Sequence, residues 1–200
     1  MLKIGLTGNI GSGKTSVAHV FEVLGIPVFY ADDESKKLLT DSKVKNQLVK
    51  LFGRDILNHS KEVDKQHLAS IVFTDKEKLK ELNELLHPLV YQSYLNWTEE
   101  QKGNYTILEA AILFESGFNN YVHQSICVFA EKRSRIKRIK SRDNINIEDI
   151  KNRMNNQWDD ERKNKLADYL IDNNENEMII PQILKIHKVL IAQVDSKKTF

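Results

Sequence analysis

The sequence predicts an α/β fold in which helices cover both faces of a five-stranded parallel sheet. Short apolar runs, without polar residues at alternate positions, are separated by longer stretches with helical spacing. Strands that are buried on both faces have such runs, whereas strands with one solvated face alternate apolar and polar residues. The intervening helical stretches supply the crossovers that parallel strands require. The predicted strands are residues 2–7, 27–30, 105–108, 125–130 and 169–171.

Composition predicts a single domain, residues 1–200, and limits its partners. The chain has 30 Lys and Arg, 28 Asp and Glu, and a net charge of +2. This balance gives no reason to expect nucleic acid or an anionic membrane as a partner, and nothing implies an obligate protein partner. The single cysteine, Cys127, allows no internal disulfide, and no run reaches the ~18 apolar residues of a membrane span. Because the N-terminus lacks a signal-peptide pattern, we expect a cytoplasmic protein.

Two connections between predicted strands are longer than a single crossover helix. Residues 42–103 carry helical patterns over 44–52, 66–73 and 75–86, which indicate a helical insertion beside the sheet. Residues 131–163 are helical, charged and rich in asparagine, which favours a mobile basic lid. The last helix, 177–194, has a broad apolar stripe and is expected to pack on the core.

The turn after the first strand matches a phosphate-binding motif. Residues 8–15 read Gly-Asn-Ile-Gly-Ser-Gly-Lys-Thr, which satisfies G-x-x-x-x-G-K-[ST], and a helical pattern over 14–24 follows. Glycines let backbone N–H groups surround a phosphate, and the helix N-terminus adds favourable dipole charge. Lys14 supplies a cation for the β and γ phosphates of ATP, and Thr15 supplies a hydroxyl ligand for Mg²⁺. The predicted ATP-binding residues of this loop are Gly11, Ser12, Gly13, Lys14, Thr15 and Ser16.

Small-molecule kinases, GTPase switches and ATPase motors share this loop. GTPases usually read guanine with Asn-Lys-x-Asp, and residues 164–167 have Ala167 at the acidic position. Motors usually hold the metal with Asp or Asp-Glu at the end of an apolar strand. The strand 125–130 is followed by Glu131-Lys132, which matches this pattern poorly. An insertion and a lid suit a kinase, which covers two substrates and excludes water. Two alternatives remain open: a module that only binds or senses a nucleotide, and a kinase whose acceptor is a nucleoside or simple nucleotide.

Several further segments are similar to those of one known family. They include Ala31-Asp32, Phe-Gly-Arg-Asp-Ile-Leu at 52–57, Leu-His-Pro at 86–88, Ile-Leu-Phe-Glu-Ser-Gly at 112–117, Arg142-Asp143, 153–157 and 168–174. With the phosphate loop, they make the chain resemble dephospho-CoA kinases from residue 2 to about residue 190. These enzymes use ATP to phosphorylate the ribose 3′-hydroxyl of dephospho-CoA, the last step of coenzyme A biosynthesis. The resemblance therefore implies a P-loop kinase with an acceptor-binding insertion, Mg²⁺, and ATP and dephospho-CoA as small-molecule substrates.

Four sites depart from the family pattern, one of which is Lys65, where arginine is common. Tyr30 stands where an aspartate is common, and Glu109-Ala110-Ala111 stands where Asp-x-Pro is usual. Thr15-Ser16 inverts the usual Ser-Thr but keeps the hydroxyl for the metal. None of these departures removes a residue that phosphoryl transfer requires. The sequence alone assigns no role to Tyr30 or Glu109.

Asp32 and Arg142 are the predicted catalytic residues besides Lys14. Asp32 follows a strand at the sheet edge where ligands bind, and the resemblance favours it as base or orienting group for the acceptor hydroxyl, and as a metal ligand through water. The alternative is an N-cap of the next helix, which Asp32 or Asp33 could provide. Arg135, Arg138 and Arg142 are spaced to share one helical face, with Ile136 and Ile139 on the other. We expect Arg142 to bridge the transferring phosphates, Arg138 to bind ATP, and mutual repulsion to keep this face disordered until phosphates bind.

The remaining predicted site residues depend on the resemblance. Asn174 is placed at the adenine pocket of ATP, and Arg153 and Gln157 are weaker lid candidates. His87 is expected to shape the acceptor pocket, and because it precedes Pro88 we predict that its helix ends there. Glu115 is predicted either to bind the acceptor or to hold the lid through an ion pair.

Overall fold

The computed structural model describes residues 1–143 and 147–198, so residues 144–146 of the predicted lid lie outside the described residues. Five strands form one sheet in the order β2-β3-β1-β4-β5, and all four neighbouring pairs are parallel. The predicted five-stranded parallel sheet is confirmed, with each strand end within one residue of its predicted position. The strands are β1 (Leu2–Thr7), β2 (Val28–Tyr30), β3 (Tyr105–Glu109), β4 (Gln124–Phe129) and β5 (Tyr169–Asp172).

The described residues also form nine α-helices. None of these helices is both long enough and apolar enough to span a membrane, as judged over the described residues. The helices are α1 (Lys14–Val23), α2 (Ala31–Leu38), α3 (Ser42–Phe52), α4 (Lys65–Val72), α5 (Lys76–Glu100), α6 (Lys132–Asp143), α7 (Ile147–Asn155), α8 (Asp160–Leu166) and α9 (Ile179–Lys198).

The chain divides into two compact units. The first combines Met1–Tyr30 with Trp97–Phe200 and contains the sheet, and the second is Ala31–Asn96. Apolar side chains of β1, β3, β4, β5, α1 and α9 form the core of the sheet unit, because unalternated strands and the apolar face of each helix bury one another. These core residues include Ile4, Leu6, Val17, Ala18, Phe21, Tyr105, Ile107, Ile126, Val128, Ile171, Ile183, Ile186 and Leu190.

Strand β1 lies at the centre of the sheet and leads directly into the phosphate-loop motif. Its neighbours are β3 on one side, where Leu6 pairs with Glu109, and β4 on the other, where Thr7 pairs with Cys127. The chain thus leaves β1 between two strands that come much later in the sequence. In open parallel sheets, ligands bind beyond the carboxyl ends of strands at such a point.

The helical unit, Ala31–Asn96, has a core of its own. Aspartate side chains begin two of its helices: Asp41 accepts from the backbone N–H of Lys43 and Val44, and Asp64 does the same for α4. Each cap satisfies N–H groups that have no partner within the helix. The core comprises Leu39, Val44, Leu48, Ile56, Val63, Leu68, Val72 and Leu86.

Helix α5 corrects one prediction. It continues through His87 and Pro88 to Glu100, so Pro88 does not end the helix. Proline in a helix interior removes one hydrogen bond and costs ~3 kcal/mol. Here Leu86, Val90 and Tyr94 are buried at four-residue spacing on both sides of the proline, whereas Pro88 itself is exposed. Burial of this continuous apolar stripe offsets the local cost.

Candidate active site

Residues 8–13 form the loop between β1 and α1, and the geometry of this loop requires its glycines. Gly13 has φ 96° and precedes the first residue of α1, and Gly11 has φ 79°. A side chain on Gly13 would overlap the amide of Asn173, and one on Gly11 would approach the carbonyl oxygen of Arg135 to 2.7 Å. Both glycines therefore supply a left-handed backbone and a close approach that other residues cannot.

Lys14 lies against a buried carboxylate. Its Nζ is 3.8 Å from Oε1 of Glu109, and the two side chains are 11% and 6% exposed. Glu109 ends β3, directly beside β1. The acid that would hold a metal in an ATPase motor was considered at the end of the strand 125–130, whereas Glu109 ends β3, the other neighbour of β1. Glu109 is thus a site residue to which sequence reasoning gave no role, and its place at the end of an apolar strand was the available signal.

Oxygen atoms suited to Mg²⁺ are present on and beside the loop. Thr15 is an exposed residue with a hydroxyl, and Glu109 carries a carboxylate that lies 3.8 Å from the amine of Lys14. Mg²⁺ prefers oxygen ligands, keeps several waters, and usually takes one or two protein ligands together with substrate phosphates. No cluster of three or more His, Cys, Asp or Glu that could hold a metal occurs among residues 1–143 and 147–198. This sparse oxygen set fits Mg²⁺ that arrives with a nucleotide.

The outer side of the loop is hydrogen-bonded to Arg138 and Asn173. Arg138 donates to the carbonyl oxygens of Gly11 and Ser12 at 3.4 and 3.3 Å, and to that of Asn173 at 2.7 Å. The Asn173 side chain also donates to the carbonyl oxygen of Ser12, at 2.7 Å. By contrast, the hydroxyl of Ser12 is buried without a hydrogen-bond partner among the described residues. Buried polar atoms normally have a hydrogen-bond partner, and a ligand or water bound in the loop would supply one here.

Arg135 is buried rather than presented to phosphate. It is 4% exposed, forms a 2.6 Å ion pair with Asp160, and donates to the carbonyl oxygens of Ala130 and Ile10. Ile139, one turn later, is buried too, so its predicted place on the opposite helical face is wrong. Asp160 pairs with Arg135, and backbone carbonyl oxygens accept hydrogen bonds from Arg138, so both guanidiniums have partners in the structure. The predicted ordering of this face by phosphates stays a prediction.

Arg138 and Arg142 line a surface cavity of about 410 Å³ beside α6. Ser134, Lys137, Ser141 and Glu175 complete its lining. Asn174 lies next to Glu175 in the chain, and its side-chain oxygen accepts from the backbone N–H of Glu131. The structure thus brings the predicted nucleotide residues Arg138 and Arg142 to one cavity, while their roles stay predictions.

Glu115 forms an ion pair with a lysine that the sequence analysis missed. Oε1 of Glu115 is 2.7 Å from Nζ of Lys163 and also accepts from the backbone N–H of Trp158 at 2.9 Å. Lys163 is fully buried and donates to the carbonyl oxygen of Ala111 as well. Burial lowers the pKa of Lys163, and Glu115 opposes that shift. Of the two predicted roles for Glu115, this contact corresponds to the ion pair that holds the lid segment.

We expect Lys163→Met to lower the free energy of unfolding by about 3–5 kcal/mol, since it leaves a buried carboxylate without its counter-charge. Urea denaturation of both proteins measures the difference. Lys165→Met is the matched control, because Lys165 pairs with Glu161 on the exposed side of α8. Exposed pairs contribute roughly 0–1 kcal/mol, so equal losses in both variants would contradict a stabilising role for the buried pair.

Two predicted residues lie in the helical unit. Asp32 is the second residue of α2 and is exposed, so neither Asp32 nor Asp33 is the N-cap, and that alternative is wrong. Both are in the first turn, where the helix dipole favours negative charge. His87 lies within α5, half-buried, and burial lowers its pKa. The roles predicted for Asp32 and His87 stay predictions.

Comparison with known proteins identifies the family. The sequence model of dephospho-CoA kinase matches residues 2–178. The chain belongs to the dephospho-CoA kinase family. A dephospho-CoA kinase from Bacteroides fragilis is 36% identical over 195 residues, which cover 96% of this chain and 95% of that protein. The family predicted from the sequence is therefore confirmed.

Solved structures agree with this membership. A dephospho-CoA kinase from Campylobacter jejuni superposes with a TM-score of 0.67 at 26% identity, over 96% of this chain and 98% of that one. A shikimate kinase from Acinetobacter baumannii gives a TM-score of 0.54 at 15% identity, over 96% and 94% of the two chains. The second likeness concerns the fold alone. The chain has the P-loop kinase fold predicted from its sequence.

Proposed function

We propose that this protein, as a dephospho-CoA kinase, transfers the terminal phosphoryl group of ATP to the ribose 3′-hydroxyl of dephospho-CoA. The bond from the γ phosphorus to the bridging oxygen breaks, the 3′-oxygen forms a new bond to phosphorus, and the hydroxyl proton leaves. The products are coenzyme A and ADP. The observation that carries this proposal is the family match over residues 2–178, which includes the complete loop with Lys14.

The loop residues would act by position and charge. Phosphoryl transfer requires little covalent help, because the main tasks are alignment and neutralisation of phosphate charge. The Gly11–Ser16 backbone leads into α1, which begins at Lys14, and there N–H groups and the helix dipole favour a phosphate. Lys14 places a cation there and is held by Glu109, 3.8 Å away. When Lys14 contacts phosphate, Glu109 remains beside it as a second charged group of the site.

Thr15 and Glu109 are the residues that would hold Mg²⁺. Bound with ATP, this ion would neutralise negative charge on the phosphates. A carboxylate and a hydroxyl provide the oxygen ligands it prefers. The further prediction, that Asp32 contacts the metal through water, depends on the family resemblance.

Arg138 and Arg142 would bind the nucleotide from the lid segment. Both line the 410 Å³ cavity beside α6, and planar guanidiniums form paired hydrogen bonds with phosphate oxygens. Arg142 is exposed at the end of α6, and its predicted task is to contact the transferring phosphates. Asn174, next to the cavity residue Glu175, would lie towards the adenine of ATP.

Asp32 would receive or orient the proton of the acceptor hydroxyl. It follows β2 after a single residue, Ala31, and its carboxylate is exposed. His87 and the helices of residues 42–103 would bind the rest of the acceptor. For Glu115 we propose the ion pair with Lys163 as the main role, and contact with the acceptor would be secondary to it.

The surroundings of the reaction follow from composition and family. We propose that the protein works in the cytoplasm on its two small-molecule substrates. A net charge of +2 over 200 residues gives no general attraction to nucleic acid or to a membrane. The proposed reaction requires no obligate protein partner.

We expect dephospho-CoA to exceed AMP and adenosine as acceptor by at least ~10²-fold in kcat/KM. The pantetheine arm of the true acceptor supplies binding energy that aligns the reacting hydroxyl, so truncated acceptors lose kcat as well as affinity. ADP release, measured across the three acceptors with ATP and Mg²⁺, gives the ratio. Phosphorus NMR of the product should locate the new phosphate on the ribose 3′ position.

Equal phosphorylation of AMP would overturn the proposed acceptor but leave a P-loop kinase. Binding of ATP without transfer to any acceptor would indicate a nucleotide-binding module instead. An alternative nucleotide kinase would be recognised by a product phosphate outside the 3′ position.

A further inference from the structure

Asp160 contacts one side chain of the phosphate loop and one of helix α6 at once. One carboxylate oxygen accepts from the side-chain amide of Asn9 at 2.7 Å, and the other pairs with Arg135 at 2.6 Å. Asn9 belongs to the phosphate loop, whereas Arg135 is on α6 and Asp160 begins α8. A single carboxylate therefore joins the loop to two helices of the lid segment.

Neighbouring residues strengthen the same connection. The side-chain oxygen of Gln157 accepts from the backbone N–H of Ile10 at 2.8 Å, and the carbonyl oxygen of Trp158 accepts from Asn9 at 3.1 Å. Arg135 in turn donates to the carbonyl oxygen of Ile10. Both backbone polar groups of Ile10 are thus held by side chains that come more than a hundred residues later.

These contacts determine which way the loop peptides point. In a trans peptide, the carbonyl of one residue and the N–H of the next point in opposite directions. Since the carbonyl of Ile10 points to Arg135, the N–H of Gly11 points away from Arg135. By the same argument, the carbonyl of Ser12 accepts from the side chain of Asn173, so the N–H of Gly13 points away from Asn173. Arg135 and Asn173 therefore orient the N–H groups of Gly11 and Gly13, which are expected to bind phosphate in the proposed function.

We propose that Asp160 is a positioning residue for phosphoryl transfer, which fixes the first half of the phosphate loop by holding Asn9 and Arg135 together. We call Asn9, Arg135 and Asp160 the loop brace. The expected loss of turnover rests on the proposed function. The expected change in the structure of the loop can be measured without any acceptor.

Burial explains why the brace depends on charge. Arg135 is almost fully buried, and burial lowers the pKa of its guanidinium while Asp160 opposes the shift. A buried cation whose counter-charge is removed draws in water or moves towards another oxygen. The nearest backbone oxygens that it already contacts belong to Ala130 and to Ile10 in the loop. Loss of the charge on Asp160 should therefore displace the loop rather than α8.

The test is Asp160→Asn, which keeps the shape of the side chain and removes its charge. We expect kcat with ATP and dephospho-CoA to fall by ~10- to ~100-fold, the range expected when reacting groups are displaced by a fraction of an ångström to 1 Å. The KM for ATP should rise less than kcat falls, because nucleotide contacts distant from the loop persist. In the protein without nucleotide, amide hydrogen exchange over residues 8–14 should be at least ~3-fold faster, with β3 unchanged.

Two further variants control the result. Glu161→Gln removes one charge from the adjacent position of α8, where Glu161 pairs only at the surface with Lys165, and should change neither kcat nor exchange. The double variant Arg135→Gln with Asp160→Asn removes both buried charges and leaves a neutral pair. Neutral replacement of a buried pair is much better tolerated than loss of one partner. We expect the double variant to recover at least ~5-fold in kcat relative to Asp160→Asn alone.

The outcomes separate this proposal from the proposed function. If Asp160→Asn lowers the melting temperature while kcat below that temperature and loop exchange stay unchanged, the residue is merely structural and the proposal is overturned. The absence of recovery in the double variant would overturn the role of charge. If the parent protein phosphorylates no acceptor, the proposed function fails, whereas faster loop exchange in Asp160→Asn would still support the brace.

Discussion

Replacement of Lys14 by alanine is expected to lower kcat by ~10²–10³-fold, the loss that follows removal of one preorganised group from developing charge. Lys14 is the only side-chain cation within residues 8–15, so no neighbour in the loop can replace it. Its Nζ is held 3.8 Å from Glu109, which keeps the cation at the carboxyl end of β3. Steady-state turnover with ATP and dephospho-CoA measures the loss.

Folding must be separated from chemistry in this experiment. Lys14→Ala leaves Glu109 buried without its cation, so Lys14→Arg is a useful second variant that keeps the charge but changes its shape. We expect Lys14→Arg to retain the parent melting temperature and still to lose most of its activity. Lys80→Ala, which removes an exposed lysine paired with Glu84, is the control for loss of a positive charge. Near-parent turnover by folded Lys14→Ala would remove the loop from the mechanism.

Replacement of Asp32 by asparagine should lower kcat by ~10²–10⁴-fold, the range of general acid–base contributions. Asparagine preserves the size of the side chain and removes its ability to take a proton. Because Asp32 is exposed and does not cap α2, its replacement should leave thermal stability nearly unchanged. Kinetics at saturating substrate, with a thermal melt of the same preparation, measure both effects.

Asp33 provides the matched control for Asp32. The two residues are adjacent in the first turn of α2 and both are exposed, so Asp33→Asn makes the same chemical change in nearly the same dipole field. Asp33 also pairs with Lys36 at the surface, a contact of small value. Equal activity of the two variants would show that Asp32 has no special role in proton transfer.

Local patterns in the sequence were sufficient for the sheet and the loop. Strands such as residues 2–7 are buried on both faces and read as unbroken apolar runs, so their ends could be predicted to within one residue. The loop motif lies in eight consecutive residues, and its context of strand and helix is also local. The position of Asp32 after a strand was a local signal, but the family resemblance was needed to favour catalysis over a helix cap, and it alone assigned His87 and Asn174.

The remaining features depend on contacts between distant residues. Local rules predict that a helix ends at Pro88. Burial of Leu86, Val90 and Tyr94 on one face instead stabilises α5 on both sides of the proline. Arg135 and Lys163 both belong to charge-rich segments that resemble a solvated surface. Their counter-charges, Asp160 and Glu115, are 25 and 48 residues away in sequence, a separation over which no periodic pattern pairs one charge with another.

The order of the strands has a consequence for how the enzyme is completed during synthesis. Strand β1 leaves the ribosome first, but its partners β3 and β4 begin only at Tyr105 and Gln124. The nucleotide loop is made within the first fifteen residues, and the asparagine that holds its Ser12 carbonyl follows 161 residues later. Chains emerge from the N-terminus, and regions with internal cores fold ahead of those that wait for distant partners. A nascent chain can therefore bury the core of residues 31–96 long before its nucleotide loop has the contacts that shape it, so that ATP binding appears only after Asn173 has been synthesised.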